Sequence, residues 1–141
     1  MQLSPSQIQQ VRSSFALLEP MAAPAAALFY QRLFEAHPEL RPMFRANVAE
    51  QGQKLMQMLA AAVALLDQPQ TLTPILQRLG ERHQGYRVQD WHYSAVGEAL
   101  LATLTQCLGE RFDTQQRQAW SQAYALISHT MQQPARHAVA C

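Results

Sequence analysis

Charge, cysteine and glycine are all sparse in this 141-residue chain, and each scarcity removes a class of function. Eleven basic and ten acidic side chains leave a formal net charge of +1, so no charge field draws the chain to nucleic acid or to an anionic membrane surface. The two cysteines, Cys107 and Cys141, make no C-x-x-C and no disulfide framework, and a reducing compartment, by default the cytoplasm, is the expected setting. The five glycines never form G-x-G-x-x-G or G-x-x-x-x-G-K, so nothing in the pattern cradles a nucleotide phosphate. Neither H-E-x-x-H nor a serine in a glycine elbow occurs, which leaves a hydrolase without its chemistry. Long apolar runs are missing too: Leu59 to Leu66 is far shorter than the ~20 residues that a membrane-spanning helix needs. The first basic residue is Arg12 and no apolar run follows a charged start, so no secretory leader is expected.

What is present is helical periodicity, broken at prolines. Ser4-Pro5-Ser6-Gln7 reads as a capping box with proline at the first helical position, and Ile8, Val11, Phe15 and Leu18 follow as one stripe. That helix is expected to stop near Glu19-Pro20. A second begins around Pro24, carries Leu28, Phe29, Leu33 and Phe34 with Tyr30 beside them, and ends at Pro38. Two prolines four apart in Pro38-Glu-Leu-Arg-Pro-Met-Phe44 allow only a short turn before a corner. From about Asn47 a third stripe runs through Gln51, Leu55, Met58, Leu59, Ala62 and Leu66 until Asp67-Gln-Pro69.

Thr73 then caps a fourth helix with Pro74 at its first position, placing Leu76, Leu79 and His83 at i, i+3 and i+7. A histidine on an apolar stripe is ordinarily a core residue with satisfied nitrogens. Asp90 caps the next helix, with Tyr93, Val96, Leu100, Leu104 and Leu108 ahead of Gly109. Asp113-Thr-Gln-Gln116 opens the last one, with Trp120, Tyr124, Ile127 and Met131 before Pro134. No segment alternates with period two and none repeats. The fold class is all-α, one domain over 1–133 with a frayed tail over 134–141, and unequal helices joined at proline corners favour a crossed, layered packing.

Taken in order, Tyr30 in Leu-Phe-Tyr-Gln-Arg-Leu-Phe, Phe44 after His37-Pro-Glu-Leu-Arg-Pro-Met, Gln51, Arg-His83 and Tyr93 ten residues on make a specific set. It resembles the bacterial single-domain globins and the haem domain of flavohaemoglobins, over about residues 4–133. The resemblance implies a helical sandwich enclosing haem b, with His83 as the proximal iron ligand and Phe44 against the porphyrin face. The chain has no C-x-x-C-H, so such a haem would not be attached through that motif. A neutral imidazole suits iron, and the Leu79 carbonyl could accept its other N–H.

On the opposite face the family pattern places Tyr30 and Gln51 over the iron as donors to bound O2, with NO and CO as related ligands. Leu55 would wall that distal pocket and Lys54 would stand at its rim near a haem propionate, while Val88, Val96 and Tyr93 would pack on the proximal side. In flavohaemoglobins a glutamate on the last helix strengthens the proximal histidine; here no Asp or Glu follows Asp113, so that push is absent. The implied functions are reversible high-affinity O2 binding as a carrier, store or scavenger, nitric oxide dioxygenation with a separate reductase, or gas sensing through a partner.

Overall fold

The computed structural model describes residues 3–43, 48–85 and 89–132, with the side chains of residues 83–85 outside the description. Phe44, Asn47, Val88 and the tail, all of which carried expectations, lie outside the described residues. Among those described the structure is helical, without strands: α1 Pro5–Leu18, α2 Ala22–Ala36, α3 Val48–Ala64, α4 Pro69–Gly85, α5 Asp90–Leu108 and α6 Thr114–Met131. Short 3-10 turns at Glu19–Met21, Pro38–Met43 and Gly109–Arg111 make corners.

Local chemistry accounts for most of the boundaries. Ser4 and Gln7 close a capping box, Gln7 N–H to Ser4 Oγ at 3.1 Å and Ser4 N–H to Gln7 Oε1 at 3.0 Å. Asp113 accepts the Gln116 N–H at 2.9 Å and starts α6 where the sequence indicates. The second helix starts at Ala22, two residues earlier than expected, because Pro24 is tolerated in a first turn whose N–H groups have no intrahelical partner. At the far end of α3, Arg12 Nη2 donates to the Ala64 carbonyl at 2.8 Å and to Asp67 at 2.9 Å, so a side chain from α1 satisfies carbonyls that the helix cannot.

Two expected starts are corrected. Thr73 and Pro74 do not open α4; Pro69 does, and Pro74 lies inside the helix. Leu72 and Leu76, one turn apart on either side of Pro74, are both buried. Burying one leucine stabilises by about 1.5–3 kcal/mol. That is comparable with the ~3 kcal/mol cost of an interior proline. The helix therefore runs through Pro74. Likewise Asp90 is the first residue of α5 and not its cap: Gln89 takes that place, donating its N–H to His92 Nδ1 at 2.9 Å. An imidazole here does what Glu or Gln does in a capping box.

The helices pack crosswise, α1 on α6, α2 on α3 and α5, and α4 on α6. Val11, Leu18, Leu33, Leu76, Leu104 and Trp120 form the sealed centre of the core. Ser14 is buried among them, its hydroxyl donating to the Gln10 carbonyl at 2.8 Å and meeting Gln116 on α6. Cys107 is half-buried in α5 and burial raises its thiol pKa, the environment of an inert packing residue. Gly80 sets the approach of α4 to α6, since a Cβ there would run into the Met131 carbonyl. No described helix is long and apolar enough to cross a membrane.

Candidate functional site

Tyr30 sits where α2 crosses α3. Its ring stacks on Phe34 at 5.9 Å and meets the edge of Phe29 at 5.0 Å, while Arg41 lies 5.1 Å over Phe34. The crossing is close because α3 presents Gly52: a Cβ there would stand 2.8 Å from Ala26 Cβ and 3.8 Å from Tyr30 Cε2. This puts the buried Tyr30 beside the residue that follows Gln51. Burial pushes the Tyr30 phenol up to about 12, so the hydroxyl is a protonated donor throughout the neutral range.

The other expected residues divide by exposure. Gln51 and Leu55 are half-buried on one face of α3, a turn apart, and Lys54 is exposed. Leu79 on α4 and Tyr93 and Val96 on α5 are half-buried while packing on the core. Burial, and after it Asp90, raises the Tyr93 phenol as well. His83 falls in the last turn of α4, three residues beyond Gly80 and its contact with α6; its side chain is not described.

The chemistry of the residues present suits a flat apolar group that already carries its metal. Leu55, Leu79, Tyr93 and Val96 offer apolar surface from three helices that their own packing leaves partly uncovered. The side chains of Tyr30 and Gln51, a phenol and an amide, are neutral. No group of three or more His, Cys, Asp or Glu that could hold a bare metal ion exists among the described residues. One imidazole would suffice for iron already held in a macrocycle.

A sequence model of the globin family matches residues 27–131. The chain belongs to the globin family. Haem is the cofactor that this membership implies. Among curated relatives, the flavohemoprotein of Chromobacterium violaceum is 32% identical over 124 residues, covering 86% of this chain and 31% of its own length. That of Bordetella parapertussis is 33% identical over 130 residues, covering 89% and 32%. Both are longer proteins, of which this globin chain spans about a third. A solved structure superposes with TM-score 0.85 at 29% identity, covering 98% of this chain and 97% of the other. It is an engineered carbene transferase, provisionally assigned as a nitric oxide dioxygenase from Rhodothermus marinus.

Sequence reasoning missed an aromatic group where α2 ends and α5 begins. Trp91, exposed, meets His92 edge-on at 4.3 Å and His37 at 5.4 Å. His92 is buried, and burial followed by the charge of His37 lowers its pKa. Adjacent aromatics in Trp91-His92-Tyr93 were the available signal. Also missed was the contact made by Tyr124, a residue expected on the α6 stripe, whose hydroxyl donates to the Tyr93 carbonyl.

Proposed function

We propose that this globin binds haem b and, through it, O2 reversibly and tightly, with His83 as the proximal ligand and Tyr30 and Gln51 as distal donors. The observation that carries the reading is the buried, protonated Tyr30 packed at the α2–α3 crossing against Gly52, the residue after Gln51. When bound, the haem supplies a ferrous iron with an open position for a diatomic ligand. Tyr30 Oη–H and the Gln51 amide N–H would stand as donors to such a ligand. Such a donor contributes about 1.5–3 kcal/mol, equivalent to a tenfold to hundredfold slower release. Leu55 excludes water on the same side. Lys54, exposed at the rim, pairs with a propionate, and Leu79 offers its carbonyl to the His83 N–H. Phe44, Val88, Tyr93 and Val96 complete the apolar lining.

The functional unit covers residues 1–133, with a tail over 134–141, and its place is the cytoplasm, where its two cysteines stay reduced. Tyr30→Phe tests the reading: O2 dissociation measured by stopped flow rises about tenfold or more. An unchanged rate removes Tyr30 from the distal role.

A second reading, nitric oxide dioxygenation, draws support from the Rhodothermus marinus neighbour, which aligns over 97% of its length. Nitric oxide and O2 combine with one electron to give nitrate, the electron coming from a separate reductase that restores ferrous iron. Sustained nitrate production with a cellular reductase makes this the role; a single turnover without recovery leaves O2 binding.

A further inference from the structure

Tyr124 makes a polar contact that the proposed function does not use. It is half-buried on α6, and its hydroxyl donates to the Tyr93 carbonyl at 2.6 Å, joining two helices. Within α5 that carbonyl is also the acceptor for the N–H of the residue four positions on, Gly97. Gly97 is where the Tyr124 ring crosses α5: a Cβ there would stand 2.7 Å from Tyr124 Cε2 and 2.9 Å from Cδ2. The missing side chain lets the ring lie against the helix backbone, and the ring's position brings its hydroxyl onto Tyr93. Burial, and after it the neighbouring Tyr93, raises the Tyr124 phenol above its usual range, so the group remains a donor.

Another tie at this end of α5, Gln89 N–H to His92 Nδ1, closes the helix on itself and not on α6. No acidic residue follows Asp113, so α6 has no carboxylate beyond its cap with which to hold α5 by charge. The turn concerned carries Tyr93, with Val96 just beyond it, the residues assigned above to the proximal side of the haem.

We propose that Tyr124 is a positioning residue: by donating to the Tyr93 carbonyl across Gly97, it fixes the start of α5 against α6 and so sets where Tyr93 stands relative to the proximal histidine. The contact itself is independent of any cofactor, whereas its consequence at the iron rests on the haem reading.

Tyr124→Phe keeps the ring and removes the donor; Gly97→Ala keeps the donor and displaces the ring. Both are compared with the unaltered full chain by two measurements. Amide hydrogen exchange at residue 97, followed with and without haem, is expected to quicken about fivefold to tenfold in both variants, the loss of one ordinary hydrogen bond. The iron–histidine stretching band of the ferrous protein, read by resonance Raman spectroscopy, is expected to shift or split in both. Unchanged exchange overturns the tie. Faster exchange with an unmoved band reduces Tyr124 to a structural contact and overturns the positioning role. Absence of that band in the unaltered protein, with exchange still responding, removes the haem reading and the positioning role while the α5–α6 tie stands.

Discussion

Trp120 and Leu55 are both apolar side chains on amphipathic helices, yet Trp120 is 2% exposed and Leu55 is only half-buried. Trp120 belongs to the α1–α6 side of the molecule, where Phe15 approaches it at 6.4 Å and Val11 and Leu18 are closed off from water. The rim of that seam is joined by neutral amides, Gln7 to Gln122 at 2.9 Å and Gln10 to Gln115 at 3.3 Å. Leu55, like Leu79 on α4 and Tyr93 and Val96 on α5, packs on the core yet retains exposed surface. The first region completes its packing with the chain's own residues. The second keeps part of its apolar surface uncovered. A substitution in the sealed seam should therefore cost far more stability than one at a half-buried position.

The largest effect is expected at His83. His83→Ala abolishes normal haem ligation in the visible spectrum while far-ultraviolet circular dichroism keeps its helical signal, because the α1–α6 seam is untouched. Loss of both signals together would erase the distinction between the regions. Next in size is the pair that opened the contrast. Trp120→Ala costs about 3–5 kcal/mol in urea unfolding of the haem-free protein. Leu55→Ala costs less than about 2 kcal/mol, since only part of its surface leaves water on folding. Equal costs would mean that Leu55 is as much a core residue as Trp120.

A smaller effect depends on pH. His92 is held neutral in the folded chain, its pKa lowered by burial and then by His37, and its Nδ1 accepts the Gln89 N–H. The unfolded chain takes up a proton below the ordinary value of 6.5, whereas the folded one resists it. Stability is therefore present above about 6.5 and is lost as pH falls through the lowered folded value. Chemical denaturation of the haem-free protein across this range shows the decline, and His92→Gln, which keeps an acceptor without titrating, flattens it. Least of all, Gln122→Ala at the exposed rim of the seam changes stability by about 0.5 kcal/mol or less, and the change is the same at low and high salt, because neutral amides have no charge to screen.

The helices were legible because burial and spacing agree: Val11, Phe15 and Leu18 on α1, and Leu100, Leu104 and Leu108 on α5, are buried at their helical intervals. Caps built from side chains near in sequence, at Ser4 and Asp113, were legible for the same reason. The start of α4 was not, since Pro69 and Pro74 both suit a first position and only the burial of Leu72 decides between them. The start of α5 misled because aspartate is the commoner cap; His92 reaching back to Gln89 outweighs that preference. In the site, residue identities at Tyr30, Gln51, His83 and Tyr93 pointed to globin chemistry. The approach of Tyr30 to Gly52 and the bond from Tyr124 to Tyr93 were invisible, as neither follows from a helical period.

By itself the sequence determined an all-α chain, its capped and proline-bounded helices, and an ordered set of residues suited to haem. These follow from interactions within a few residues, where side-chain chemistry and backbone geometry are coupled directly. The tertiary structure alone decided which apolar residues are sealed and which stay half-open, that Gly52, Gly80 and Gly97 mark the close crossings, and that α6 reaches the start of α5 through a phenol. Those features arise when faces distant in sequence meet, and their cost or gain depends on the shape of both.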